Sequence, residues 1–161
     1  MRINSGFKKF AVLLAVLVIG TLLLAACASA SPTSEGSSEI PKPSVAGGTG
    51  PAVNLAGDAT AGAAVFQANC VQCHGDQGKG GVQNPGSDDG TVPPLNPIDP
   101  GLVNKDPKIF AQNIDLFIEH GSTPEGDNPT LKMQPFGDQG TLTPQQIADV
   151  MAYIISLNPA K

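Results

Sequence analysis

Five consecutive residues, Cys70-Val71-Gln72-Cys73-His74, carry the side chains of this sequence that are best suited to chemistry. Two thiols three positions apart lie on one side of a helical turn, so both can add to the vinyl groups of one porphyrin. The histidine that comes next can bring an imidazole nitrogen to the porphyrin iron, as proximal histidines do in many haem proteins. The C-x-x-C-H pattern therefore predicts one covalently attached haem c, held by Cys70 and Cys73, with His74 on the iron.

Two other uses of paired cysteines fit the sequence less well. A redox-active C-x-x-C pair belongs in a βαβ context, and the sequence indicates no strands of that kind. A structural zinc site needs four ligands at short spacing, and only Cys27 and His120 remain outside the motif. Haem attachment is therefore favoured over both.

The N-terminus has the features of an export signal. Three basic residues precede an apolar run over residues 10–24, which suits a signal peptide and is short for a membrane span of about 20 residues. The run ends in Leu24-Ala25-Ala26-Cys27, which resembles the lipobox of bacterial lipoproteins. This resemblance implies a signal peptide over residues 1–26 and a lipidated Cys27, anchored to the outer face of the plasma membrane or in the periplasm. An ordinary signal peptide or an uncleaved anchor helix stays open.

The stretch from Cys27 to residue 57 is expected to be a flexible tether. It is rich in serine, proline and glycine, and it lacks the apolar periodicity of 2 or 3.6 residues that strands and helices show. About thirty such residues span roughly 30 Å on average. The tether would either let a domain swing between redox partners or simply hold it clear of the lipid headgroups.

Residues 58–161 contain three stretches that favour helices. The first precedes the cysteine motif, with Asp58 or Thr60 as its N-cap, and the second covers residues 109–120. The third covers residues 143–157 and begins with a Thr143 to Gln146 capping box. The region from 75 to 107 is rich in Gly, Pro, Asp and Asn and predicts loops. Aromatic residues make up only 4% of the chain, so a buried haem would supply apolar bulk that the side chains lack.

The order of these elements resembles class I cytochromes c over about residues 58–158. Gly62 and Phe66 precede the cysteine motif as in the first helix of that family. The resemblance implies that both meet an aromatic residue of the last helix, which here would be Tyr153. It also implies an all-α fold, with about three main helices packed around one covalently bound haem and long loops rich in proline and glycine.

The same resemblance implies three supporting residues in the haem pocket. In the Pro93-Pro94-Leu95 stretch, the Pro93 carbonyl would accept a hydrogen bond from the His74 ring, and Leu95 would pack on the haem. Phe136 would flank it from the later loop. A proline-rich surface loop is the alternative interpretation of Pro93 and Leu95.

The sixth iron ligand is expected to be Met133. It stands in a loop followed by Gln134-Pro135-Phe136, and the resemblance implies a distal methionine in such a loop, although Gln134 departs from the usual order. Met151 is a rival, but its place on an apolar helix stripe is typical of core filling. His120 is expected to be an exposed residue in the last turn of its helix. Ligation by either residue and an open iron site remain alternatives.

Two axial protein ligands would leave one-electron transfer as the chemistry, with no catalysis by this chain. Expected partners are redox proteins, for example a quinol-oxidising complex, an oxidase or a reaction centre. The chain has 14 acidic and nine basic residues, which argues against nucleic acid as a partner. A fixed haem subunit of a larger quinol-oxidising membrane complex, and a haem enzyme or sensor with open iron, are the competing functions.

Overall fold

The computed structural model describes residues 40–159. The helices within that range are α1 Ala59–Asn69, α2 Val71–His74, α3 Pro107–His120 and α4 Pro144–Leu157, with short 3-10 helices at Pro51–Asn54 and Asp76–Gly78. Strand-like pairing among the described residues is limited to two isolated bridges, Gln83 with Thr91 and Ser122 with Met133. The expected all-α fold is confirmed. The signal-peptide residues 1–26, the lipidation site Cys27 and the tether as far as residue 39 lie outside the described residues.

Each long helix begins at a polar cap. Asp58 accepts hydrogen bonds from the backbone N–H groups two and three residues later, and Asp106 accepts one in the same way at the start of α3. Thr143 and Gln146 form the expected capping box at α4. These caps satisfy N–H groups that the first helical turn leaves unpaired.

The α1 and α4 helices cross at very close range. A Cβ atom on Gly62 would overlap the carbonyl oxygen of Asp149, so only glycine lets the two backbones approach this far. Four residues along α1, the Phe66 ring lies 5.3 Å from the Tyr153 ring, centroid to centroid, at an interplanar angle of 56°. A tilted pair at this distance is a favourable aromatic geometry. The crossing fixes the end of α1 and hence the start of the cysteine motif.

The core lies between α3 and α4 and contains mainly branched aliphatic side chains. Its buried apolar members on these helices are Phe110, Ile114, Ile118, Ile147, Ala148, Val150, Met151 and Ile154. Both helices place apolar residues at intervals of three and four, so each presents a continuous stripe. Parts of these stripes also border a large cavity next to the cysteine motif.

A segment that the sequence assigned to the tether packs on the domain. Residues 41–50, named here the N-terminal strap, lie alongside the end of α3. The Gly48 carbonyl lies 2.7 Å from His120 Nε2, and the Gly50 N–H donates to the Asp115 carboxylate at 2.6 Å. These two contacts hold the strap through its backbone polar groups.

The 3-10 helix directly after the strap buries Ala52 in the core. The chain thus contacts the domain well before residue 58, where the sequence placed the boundary. The absence of apolar periodicity predicts a tether here. This segment nevertheless packs on the domain, because backbone hydrogen bonds and one small buried side chain hold it without any periodic apolar pattern.

Among residues 40–159, none of the helices has both the length and the apolar character that crossing a membrane requires.

Candidate functional site

The cysteine motif forms its own helical turn directly after α1. The Cys70 N–H donates to the Phe66 carbonyl at 2.8 Å, and the His74 N–H donates to the Cys70 carbonyl at 2.9 Å. Gly75 then ends α2 at a φ of 74°, a value that glycine adopts without strain. Cys70, Cys73 and His74 consequently lie along the wall of one cavity.

That cavity has a volume of about 760 Å³ and is mainly apolar. One part of its apolar wall comes from α3 and α4, and much of the rest is formed by the loops after α2 and α3. Six apolar side chains of these walls are Leu95, Ile114, Ile118, Met133, Phe136 and Val150. A large apolar space with two thiols and one imidazole at its edge fits a haem attached through those thiols.

The His74 ring is oriented by a single backbone contact. Its Nδ1 lies 3.2 Å from the Pro93 carbonyl oxygen, so an N–H at Nδ1 would leave Nε2 with its lone pair. Burial lowers the pKa of His74, and the Pro93 hydrogen bond opposes this only partly. The imidazole is therefore neutral at pH 7, the form that binds metals.

The two loop residues assigned to the haem pocket, Pro93 and Leu95, are found on the cavity wall. The Leu95 N–H donates to the Gly78 carbonyl at 2.7 Å, which ties this loop to the 3-10 helix after the motif.

The environment of Cys70 does not suit a redox-active dithiol. Burial, followed by the proximity of Cys73, raises the pKa of the Cys70 thiol to about 12. Reactive cysteines of C-x-x-C pairs instead have lowered pKa values, because the thiolate is the nucleophile. Within residues 40–159, no three His, Cys, Asp or Glu side chains are grouped as metal ligands would be.

Met133 borders the same cavity as His74. Its backbone is paired in both directions with Ser122, through a Met133 N–H bond of 2.8 Å and a Ser122 N–H bond of 3.1 Å. Phe136, three residues later, also borders the cavity and packs on the core. The loop thus brings a thioether and an aromatic ring to the cavity that holds the cysteine motif.

The two rival ligands lie elsewhere. Met151 is 3% exposed within the core and borders a separate depression that contains neither cysteine nor histidine. His120 is not a wall residue of the cavity, and its Nδ1 lies 2.9 Å from an Asp138 carboxylate oxygen. Its side chain is only 12% exposed, so the expectation of an exposed histidine is wrong. The strap covers it instead.

Two asparagines that the sequence did not single out hold the cavity loops. The Asn84 side chain is fully buried, accepts from the Leu131 N–H at 2.7 Å and donates to the Leu131 carbonyl. At the end of α4, Asn158 accepts from the Ile98 N–H and donates to the Leu95 carbonyl. The only sequence signal was their type, because asparagine carries both a donor and an acceptor.

A family model for cytochrome c matches residues 59–158. The chain belongs to the cytochrome c family. Membership confirms the expected cofactor, a covalently bound haem c, for this electron-transfer domain. The matched range begins at the first residue of α1 and ends one residue after α4, so the strap lies outside it.

Three curated proteins are similar to this cytochrome c domain. A Cbb3-type cytochrome c oxidase subunit FixP from Sinorhizobium medicae is 36% identical over 101 residues, or 63% of this chain and 30% of its own length. FixP from Rhizobium meliloti is 35% identical over 101 residues, again 63% of this chain and 30% of its own length. A Cbb3-type subunit CcoP from Cereibacter sphaeroides is 34% identical over 61% of this chain and 30% of its own. The chain thus spans about a third of each relative, and no solved structure matches it significantly.

Proposed function

We propose that this protein is a membrane-tethered one-electron carrier that acts outside the cytoplasm and is not itself an enzyme. The observation that carries the proposal is the shared cavity, because Cys70, Cys73, His74 and Met133 all border it. When bound there, haem c supplies a one-electron iron couple, so an electron accepted from a donor can pass to an acceptor.

The chain's own residues have separate roles in this proposal. Cys70 and Cys73 would attach the haem, and His74 and Met133 would bind its iron. The Pro93 carbonyl holds the His74 ring in one orientation, which would leave Nε2 as the nitrogen available to the iron. Leu95 and Phe136 keep water away from the cofactor, as apolar wall residues of the cavity.

We further propose that its partners are redox proteins at the same membrane, with lipidated Cys27 as the anchor. The similarity to subunits named for a Cbb3-type oxidase favours an oxidase complex as one partner. The same similarity supports a second candidate, in which the domain is a docked subunit of a larger membrane complex. Both candidates keep the one-electron role and differ in whether the domain leaves its partner.

Paired methionine replacements test the ligand assignment. Met133→Leu keeps the apolar volume and removes the thioether, whereas Met151→Leu makes the same change at a methionine that does not border the cavity. We expect the first variant to lose the weak far-red methionine-to-iron band, to bind CO when reduced and to have a lower reduction potential. The second should retain all three native properties. A Met133→Leu protein with native potential and no CO binding would refute the assignment.

A further inference from the structure

The strap does more than connect a tether to the domain, because it forms part of the cavity wall. Pro41, Lys42 and Ser44 border the same cavity as the cysteine motif. At its start, the Pro41 ring packs so close to Gly101 that a Cβ there would lie 2.7 Å from Pro41 Cδ. These residues precede the range matched by the cytochrome c family model, 59–158.

Ser44 makes two hydrogen bonds across the chain to the segment directly after α3. Its hydroxyl oxygen accepts from the Thr123 N–H at 2.7 Å. Its own backbone N–H donates to the Ser122 hydroxyl at 3.2 Å. Residues 122 and 123 are therefore held from the strap side by both a side chain and a backbone group.

The segment that Ser44 holds is also the backbone partner of Met133. Ser122 and Met133 exchange two backbone hydrogen bonds. Gly121 lets the two segments come closer still, because a Cβ on it would lie 2.5 Å from the Met133 carbonyl oxygen. A displacement of residues 122–123 would therefore move the Met133 backbone with it.

We propose that Ser44 is a positioning residue for Met133, acting through Thr123 and Ser122 to hold the methionine loop against the cavity. The proposal rests on the proposed ligand role of Met133. The strap keeps its register because its later residues are fixed independently, by His120 at Gly48 and by Asp115 at Gly50. Ser44 thus lies outside the range matched by the cytochrome c family model and yet supports the proposed iron site.

Three variants of the full-length holoprotein test this role. Ser44→Ala removes the acceptor for Thr123, and Ser44→Thr restores a hydroxyl at the same position. Ser156→Ala is the matched control, because the exposed Ser156 hydroxyl donates only to the Tyr153 carbonyl on α4. Imidazole titrated into the oxidised protein reports how often the methionine leaves the iron, through loss of the far-red band.

We expect Ser44→Ala to bind imidazole about fivefold more tightly than the wild type, the effect of one lost neutral hydrogen bond. Ser44→Thr and Ser156→Ala should stay within twofold of the wild type. Ser44→Ala within twofold of the wild type, or Ser156→Ala with the same rise, would overturn the proposal.

Amide hydrogen exchange tests whether Ser44 positions the Met133 backbone, independently of what binds the iron. Ser44→Ala should accelerate exchange at both Thr123 and Met133, because the loosening passes through the Ser122 pairing. Faster exchange at Thr123 alone would overturn the proposal. A wild-type protein without the far-red band would instead refute the ligand assignment, and the Met133 exchange rate would still decide whether Ser44 positions that loop.

Discussion

Replacing Gly62 with alanine should destabilise the protein, although alanine is the better helix former. A free helix would gain about 1 kcal/mol from this change. In this protein the new methyl group would overlap the Asp149 carbonyl oxygen and lie 3.0 Å from Tyr153 Cβ. The Asp149 carbonyl oxygen is a backbone atom and cannot rotate away as a side chain can. The α1 and α4 helices must therefore separate to make room for the methyl group.

Overpacking of this kind costs typically 1–3 kcal/mol, and separation also weakens the contact between Phe66 and Tyr153, worth about 0.5–1.5 kcal/mol beyond its buried area. After subtracting the helix-propensity gain, we expect a net loss of about 0.5–3.5 kcal/mol. For a domain of this size that loss lowers Tm by roughly 2–16 °C.

Thermal unfolding of the holoprotein, followed by far-UV circular dichroism, measures this loss. Gly48→Ala is the matched control, because a Cβ there has no neighbour within 4 Å and the residue has no positive φ. That variant should be neutral or gain up to about 1 kcal/mol from a less flexible unfolded chain. A Gly62→Ala protein with a Tm equal to or above that of the wild type would refute the close crossing of α1 and α4.

Two further predictions concern the strap and the anchor. The hydrogen bond to Asp138, followed by that to the Gly48 carbonyl, raises the pKa of His120. Its stabilising contribution is therefore complete below the unfolded pKa of about 6.5 and is lost as pH rises through the folded value. The Tm difference between the wild type and His120→Gln should accordingly shrink as pH rises above about 6.5, and a difference that grew with pH would contradict this. The second prediction is that Cys27→Ser moves the protein from the membrane fraction to the soluble fraction, and unchanged fractionation would refute the lipid anchor.

The helices could be predicted because their signals are local. Capping residues, apolar periods and helix-ending glycines lie within a few positions of the groups they affect. The start of α3 also has a local signal in the sequence, because Asp106 is a suitable N-cap and Pro107 a suitable first helical residue. The apolar period alone places the start of this helix two residues late, at residue 109.

The supports of the cavity could not be predicted in the same way, since they join residues far apart in sequence. Asn84 bonds to a residue 47 positions later, and Ser44 bonds to one 78 positions later. Neither residue lies in a periodic segment. The serine and glycine composition of the strap favours flexibility and predicts a linker, because composition does not reveal that a segment docks on another helix.

The proposed electron-carrier function requires one haem held in this cavity by His74 and Met133, with no open iron position. Visible absorption spectra of the wild-type protein, oxidised, then reduced, then exposed to CO, test it most directly. We expect sharp reduced bands of a c-type haem, a weak far-red band in the oxidised form and no change with CO. A reduced spectrum that shifted with CO would contradict the claim and would favour an enzyme or sensor with open iron.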